Sequence, residues 1–114
     1  MTSAAPVLDR RFQALGDATR RAVVQRLCEG PATVSALAKP FKMGLPAFVQ
    51  HLGILEACGL VVSSKTGRVR TCRVNGAALK ETEDWLGAQR ALWVQRLDQL
   101  DDYLYQLKAK EKKS

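Results

Sequence analysis

Four short helical segments, a strand pair and a long amphipathic helix follow one another along this chain. That order predicts a mainly α fold with a small β-hairpin, a winged helix-turn-helix with a long C-terminal helix. Three observations carry the prediction. Apolar residues recur at helical spacing as far as Cys58. The period then changes to that of strands on both sides of Lys65-Thr66-Gly67. Beyond Ala77 a leucine seam of heptad type runs almost to the end.

The first helix is expected over Leu8 to Leu15, with Leu8, Phe12 and Leu15 on one side. Gly16-Asp17 breaks it, and Asp17 is a good N-cap for the second helix. In "ATRRAVVQRLCEG", Ala22, Val23, Val24 and Leu27 make an apolar face, and Gly30-Pro31 ends the helix. "ATVSALAKPF" is a short helix capped by Thr33, with Val34, Leu37 and Ala38 inward and Pro40 opposing its continuation. The stretch "LPAFVQHLGILEACGL" is the fourth helix, entered through Gly44 and Pro46. Leu45, Phe48, Leu52 and Leu55 fall on one side at spacings of 3, 4 and 3, and Pro46, Ala47, Val49, Gln50 and Gly53 on the other. Gly59 suits a left-handed cap at its end. The turn "KPFKMGLP" fits the tight corner between the two helices of a helix-turn-helix. "LVVSSKTGRVRTCRV" is a hairpin turning at Lys65-Thr66-Gly67. In the last helix Leu79, Leu86, Trp93, Leu97, Leu100, Leu104 and Leu107 recur at 7, 7, 4, 3, 4 and 3. That seam is about 40 Å long at 1.5 Å per residue, more than one small globule can cover, so part of it should face another chain.

A length of 114 residues points to a single winged-helix domain over 1–114. Its DNA-binding core would occupy 8–76, with the wing at about 60–75, and 77–114 would serve dimerisation. Hydrophobic residues at 46% and charged residues at 25% fit a globular, soluble protein. No apolar run approaches the length of a membrane span, and "MTSAAPVLDRRF" lacks the pattern of a signal peptide. Three scattered cysteines, Cys28, Cys58 and Cys72, make no disulfide framework, so the cytoplasm is the expected compartment. The formal charge of +7 is placed unevenly. Eleven cations face four acids up to Gly76, and beyond it the two signs balance. A basic segment joined to a neutral one suggests a polyanion-binding part beside a part with another task.

The segment "FQALGDATRRAVVQRLCEGPATVSALAKPFKMGLPAFVQHLGILEACGLVVSSKTGRVRTCRV" resembles the ArsR family of bacterial winged-helix transcriptional repressors. "LGDATRRAVVQRL", "QHLGILEACGLV" and "GRVRTCRV", in that order and spacing, carry the resemblance over about residues 8 to 75. The tail "WLGAQRALWVQRLDQLDDYL" resembles a metal-independent branch. The resemblance implies a homodimer joined by its first and last helices, a fourth helix in the major groove, and a wing on backbone or minor groove. Leu8, Phe12, Leu86, Trp93, Leu97, Leu100 and Leu104 are the expected interface residues.

On the fourth helix, Ala47 and Val49 can meet thymine methyls beside Pro46, and Gln50 can pair with adenine. His51 matches the "QH" of the family and is expected to contact phosphate or base; the alternative is a histidine half-buried against the wing and satisfied by backbone. Hydroxyl residues common in the family early on this helix and before the Gln-His pair are replaced here by Gly44, Pro46 and Val49. In the wing, strand alternation puts Arg68 and Arg70 on one face, for phosphate or the minor groove, and Arg73 on the other. Lys65, Lys42 just before the fourth helix, and Thr33 near the start of the third complete the DNA-binding set.

No cofactor or metal is expected. The third helix lacks the cysteine cluster, and the last helix the histidine ligands, of the family's metal sensors. Cys72, between Arg70 and Arg73, is the best candidate for a redox-active thiol, though three isolated small hydrophobes are the simpler account. Trp85, Trp93, Tyr103 and Tyr105 suit a dimer core better than an effector pocket, and no effector is identified. No catalytic constellation is present, so no enzyme is expected. The expected function is that of a sequence-specific, homodimeric DNA-binding regulator, a repressor on a palindromic double-stranded operator. The alternatives are a winged-helix protein-interaction module without DNA binding, and a thiol-based redox-sensing regulator.

Overall fold

A computed structural model describes residues 4–113. The elements are α1 (Ala4–Leu15), α2 (Ala18–Leu27), β1 (Ala32–Thr33), α3 (Val34–Ala38), α4 (Leu45–Ala57), β2 (Val61–Thr66), β3 (Val69–Val74) and α5 (Gly76–Lys113). The chain divides into two compact units, residues 1–82 and 83–114; α5 begins in the first and supplies the helix of the second.

Local chemistry sets the element ends. Asp17 caps α2 by accepting the Arg20 backbone N–H at 3.1 Å. Thr33 caps α3 by accepting the Ala36 N–H at 3.2 Å. Helix α4 has Gly44 at its N-cap with no side-chain cap, and Pro46 in its first turn. Its end is closed by Gly59 at φ 82, a left-handed conformation that favours glycine.

The core of the first unit is one cluster built from α1, α2, α3, α4, the sheet and the start of α5. Phe48, Leu52 and Leu55 of α4 lie at its centre with Val23, Leu27, Leu37, Leu60 and Val61. Phe41 stacks on Phe48 with ring centroids 5.5 Å apart, which fixes the corner between α3 and α4. Thr82, buried on α5, donates its hydroxyl to the Ala78 carbonyl at 2.9 Å, so it leaves no unmet polar group.

The structure departs from the sequence expectation at four places. Leu45, expected on the buried side of α4, is 57% exposed, because the first turn of the helix overhangs the core that Phe48 begins to fill. The wing turns at Gly67-Arg68 rather than Lys65-Thr66-Gly67: Thr66 pairs with Val69, leaving a two-residue loop. Gly67 at φ 62, followed by a residue without positive φ, matches the twist such tight hairpins require. The sheet has a third strand, in the order β1-β3-β2, where β1 pairs Ala32 with Cys72 and Thr33 with Thr71. Two residues are too few to show a strand period, so only the partner strand reveals it. Helix α1 begins at Ala4, ahead of the expected Leu8.

The second unit, residues 83–113 as described, is a single helix with its apolar side chains outward. Leu86, Trp93, Leu97, Leu100 and Leu104 are all exposed. Among the described residues no helix is long and apolar enough to cross a membrane.

Candidate nucleic-acid interface

The outer face of α4 holds Pro46, Ala47, Val49, Gln50, Gly53, Ile54 and Ala57, all exposed and none charged. The expected residues Pro46, Ala47, Val49 and Gln50 are therefore brought together on one open surface. Lys42 and Lys39 are exposed just ahead of this helix, and Lys65 and Arg68 are exposed at the far end of the wing. Exposed cations thus lie in the elements before and after a helix whose own face presents methyl groups and one carboxamide. Thr33 does not stand with them as an open side chain: its hydroxyl is taken up in capping α3.

Arg68 and Arg70 do not share a strand face. Arg68 occupies the turn, while Arg70 stands in β3 opposite Lys65. Arg70 points to the inner side of the sheet and places its guanidinium on both carboxylate oxygens of Glu56 in α4. Its Nε donates to the Ser63 hydroxyl at 3.1 Å. The one charged side chain of α4 thus ties this helix to the wing, and Arg70 is occupied by that tie. Nothing in the local sequence pairs Glu56 with a residue fourteen positions on; the hairpin brings them together.

His51 sits at the edge of the exposed face with its side chain 25% accessible. Its ring reaches Arg20 in α2 and the α2 cap Asp17. Its Nδ1 lies 3.0 Å from Arg20 Nη1 and 3.7 Å from Asp17 Oδ2. The partners are side chains rather than backbone, which differs from the alternative raised by the sequence. The Arg20 backbone N–H holds the Asp17 carboxyl below its usual range, with neighbouring positive charge adding to the effect.

Several arginines of the basic segment are spent on carbonyls. Arg20 Nε donates to Ala14 O at 2.7 Å and Nη2 to Gln13 O at 3.3 Å, while Arg21 Nη1 donates to Leu15 O at 2.9 Å. These are the last carbonyls of α1, which no helical N–H can reach. Arg11 Nε donates to Cys58 O at 3.0 Å at the end of α4, and its Nη1 pairs with Glu81 at 2.7 Å. The sequence alone suggests a polyanion for the whole positive excess. Part of it closes helix ends instead, and only the fold distinguishes the two uses.

Cys72 is fully buried, and burial pushes its thiol up, with the Glu56 charge adding to that effect. Arg73 projects from the opposite side of the strand, while Arg70, on the same side as Cys72, lowers the thiol by less than burial raises it. The flanking arginines therefore do not activate this buried thiol. Among the described residues no group of three or more His, Cys, Asp or Glu side chains is arranged to hold a metal. Trp93 and Tyr103 line open depressions along α5, not an enclosed cavity.

Comparison with known proteins bears on the family and the fold. The sequence pattern described as "Bacterial regulatory protein, arsR family" matches residues 17–63, from the cap of α2 into the wing. The HTH-type transcriptional regulator Rv2034 of Mycobacterium tuberculosis is 41% identical over 71 residues, 62% of this chain and 66% of that one. The transcriptional repressor SdpR of Bacillus subtilis is 27% identical over 75 residues, 66% of this chain and 83% of that one. A crystal structure of an ArsR family transcriptional regulator superposes with a TM-score of 0.75 at 49% identity, covering 82% of this chain and 96% of that one.

Proposed function

The chain belongs to the arsR family of bacterial regulatory proteins, transcriptional regulators with a winged helix-turn-helix DNA-binding fold and not enzymes, and we propose that it represses transcription by binding a palindromic operator as a homodimer. Two copies of α4 would lie in successive major grooves, with half-sites about 34 Å apart. Each wing would reach backbone or minor groove through Lys65 and Arg68. On α4, Gln50 offers a bidentate partner for adenine, and Ala47 and Val49 offer apolar contact for thymine methyls.

The observation that supports this reading best is the uncharged, exposed face of α4, with exposed cations in the neighbouring elements, Lys39 and Lys42 just before it in the chain and Lys65 and Arg68 in the wing. Phosphate contacts supply affinity and base edges supply sequence discrimination, and this surface separates the two. Pairing of two chains is supported by the exposed seam of Leu86, Trp93, Leu97, Leu100 and Leu104 in the second unit and, separately, by the half-buried Leu8 and Phe12 on α1 of the first. Thr33, Arg70 and His51 contribute by holding the elements in place as well as by any contact of their own. Repression results if the operator overlaps a promoter; the relative SdpR is named a transcriptional repressor. The protein would then work in the cytoplasm, on the nucleoid when bound.

The test is recovery of genomic fragments by the purified protein, followed by footprinting and a salt series. If Lys39, Lys42, Lys65 and Arg68 of each protomer, eight cations per dimer, each meet one phosphate, the slope of log K against log salt should be about −7. A footprint of two symmetric half-sites is expected. Exposed Leu45, Val49 and Ile54 favour the second reading, a protein-interaction surface; absence of DNA binding even at low salt would decide for it.

A further inference from the structure

The contact between Arg20 and His51 fixes more than the position of a ring. A guanidinium has five N–H donors and no acceptor, and it does not lose its charge in proteins. At 3.0 Å from Arg20 Nη1, the Nδ1 atom of His51 can only accept. A ring that accepts at Nδ1 carries its proton on Nε2. Arg20 is itself held at three further points: its backbone N–H on Asp17, its Nε on the Ala14 carbonyl, and its Nη2 on the Gln13 carbonyl. The fork cannot swing aside without uncovering the end of α1. The alternative, a doubly protonated ring donating to Asp17, is disfavoured by distance: Oδ2 lies at 3.7 Å, beyond hydrogen-bond reach, and the second positive charge would stand against Arg20.

We propose that Arg20 is a positioning residue that locks His51 in its neutral Nε2–H form, so that the edge of α4 presents one oriented, uncharged hydrogen-bond donor to DNA. The inference rests on α4 being the DNA-reading helix, and it specifies what that helix offers beside Gln50. The acceptor is an oxygen or nitrogen lone pair, either on a phosphate or on the major-groove edge of a base.

His51 is the only histidine of the chain, so one imidazole resonance set reports on it without ambiguity. The experiment is long-range proton–nitrogen NMR on the full-length, nitrogen-labelled protein at about pH 8.5, well above the ordinary histidine titration range. The expected result is an unprotonated Nδ1 and a protonated Nε2. A protonated Nδ1 in the native protein would overturn the proposal, with no variant needed. In Arg20→Met the two nitrogen shifts should move toward a mixture of both forms, while Asp17→Asn, which keeps a capping side chain, should leave them where they were. A shift with Asp17→Asn but none with Arg20→Met would assign the control to Asp17 and end the proposal.

Binding to DNA recovered from genomic fragments by the same protein supplies the second readout. His51→Ala should weaken binding roughly tenfold, the worth of one well-made hydrogen bond. The slope of log K against log salt should not change, because a neutral donor releases no counterion. A slope reduced by about 0.9 per site would mean a cationic ring on phosphate and would refute the neutral form. A loss equal on recovered and random fragments places the acceptor on phosphate; a loss confined to the recovered site places it on a base. Unchanged affinity of His51→Ala for DNA that the native protein binds well would overturn the role, and failure of the native protein to bind any DNA would instead remove the reading of α4.

Discussion

The tie between Glu56 and Arg70 should behave as a joint between α4 and the wing, and a double-mutant cycle can measure it. The variants are Glu56→Gln, Arg70→Met and the pair, each unfolded in urea at one fixed protein concentration, because association shifts apparent stability. Two unit charges at contact attract by roughly 4 kcal/mol at an effective dielectric near 20. Desolvation and side-chain ordering cancel much of that. Exposed pairs yield up to about 1 kcal/mol, whereas breaking a buried one costs roughly 3–5 kcal/mol. Here the side chains are 36% and 24% accessible, the contact engages both carboxylate oxygens, and Ser63 holds the guanidinium from behind. A coupling of about 1–2 kcal/mol is therefore expected between these limits. DNA binding supplies an independent sign. Arg70→Met should leave the salt slope nearly unchanged, since its charge is already met, whereas Arg68→Met should reduce it by about 0.9 per site. Glu56→Gln should steepen the slope and raise binding to random DNA, because it releases Arg70 toward solvent. A coupling below about 0.3 kcal/mol together with a full slope loss in Arg70→Met would refute the joint, and would return Arg70 to the phosphate role that the sequence suggested.

Gly53 lies on the exposed face of α4 with nothing within 4 Å of where a Cβ would stand. Gly53→Ala should raise urea stability by up to about 1 kcal/mol through helix propensity, yet weaken operator binding by crowding the groove; unchanged binding would show that this turn does not approach DNA. Replacing Leu97 and Leu100 together by Glu should give a monomer in light scattering with little operator affinity. A dimer that persists would move the interface away from this part of α5. Thiol reagents under native conditions should label exposed Cys28 and spare buried Cys72, and Cys72→Ser should leave any oxidant-driven release of DNA unchanged. Loss of such release in that variant would restore the thiol-sensor alternative.

Legibility in the sequence tracks the range of the interactions involved. Helix periods, the caps Asp17 and Thr33, the left-handed Gly59 and the seam on α5 are written in residues a few positions apart, and all recur in the structure. The flat face of α4 is legible for the same reason, because its exposed residues are one side of a single helix. The strand β1 is not, since its two residues become a strand only through pairing with Thr71 and Cys72. The partners of His51 and Glu56 are equally hidden. Arg20 and Arg70 stand thirty-one and fourteen positions away, and nothing local distinguishes them from their neighbours Arg21 and Arg68.

Charge shows the consequence most clearly. The sequence counts eleven cations up to Gly76 and suggests a polyanion for all of them. In the fold, Arg11, Arg20, Arg21, Arg26 and Arg70 donate to carbonyls, to a carboxylate or to the one imidazole. Arginine suits that work because its planar fork reaches two or three acceptors at once and keeps its charge when partly buried. The lysines of the same segment, Lys39, Lys42 and Lys65, remain exposed, as a compact and strongly hydrated ammonium would. The segment therefore divides its cations by chemistry. Most of its arginines brace helix ends and the tie between α4 and the wing, while lysines, with Arg68 at the tip of the wing, face solvent and are left for the phosphates of the proposed DNA contact. A substitution of arginine by lysine at position 20 or 70 would keep the net charge but lose the fork, and should lower stability with little change in the salt dependence of binding. The reverse change at Lys42 or Lys65 should leave stability alone and act on DNA affinity.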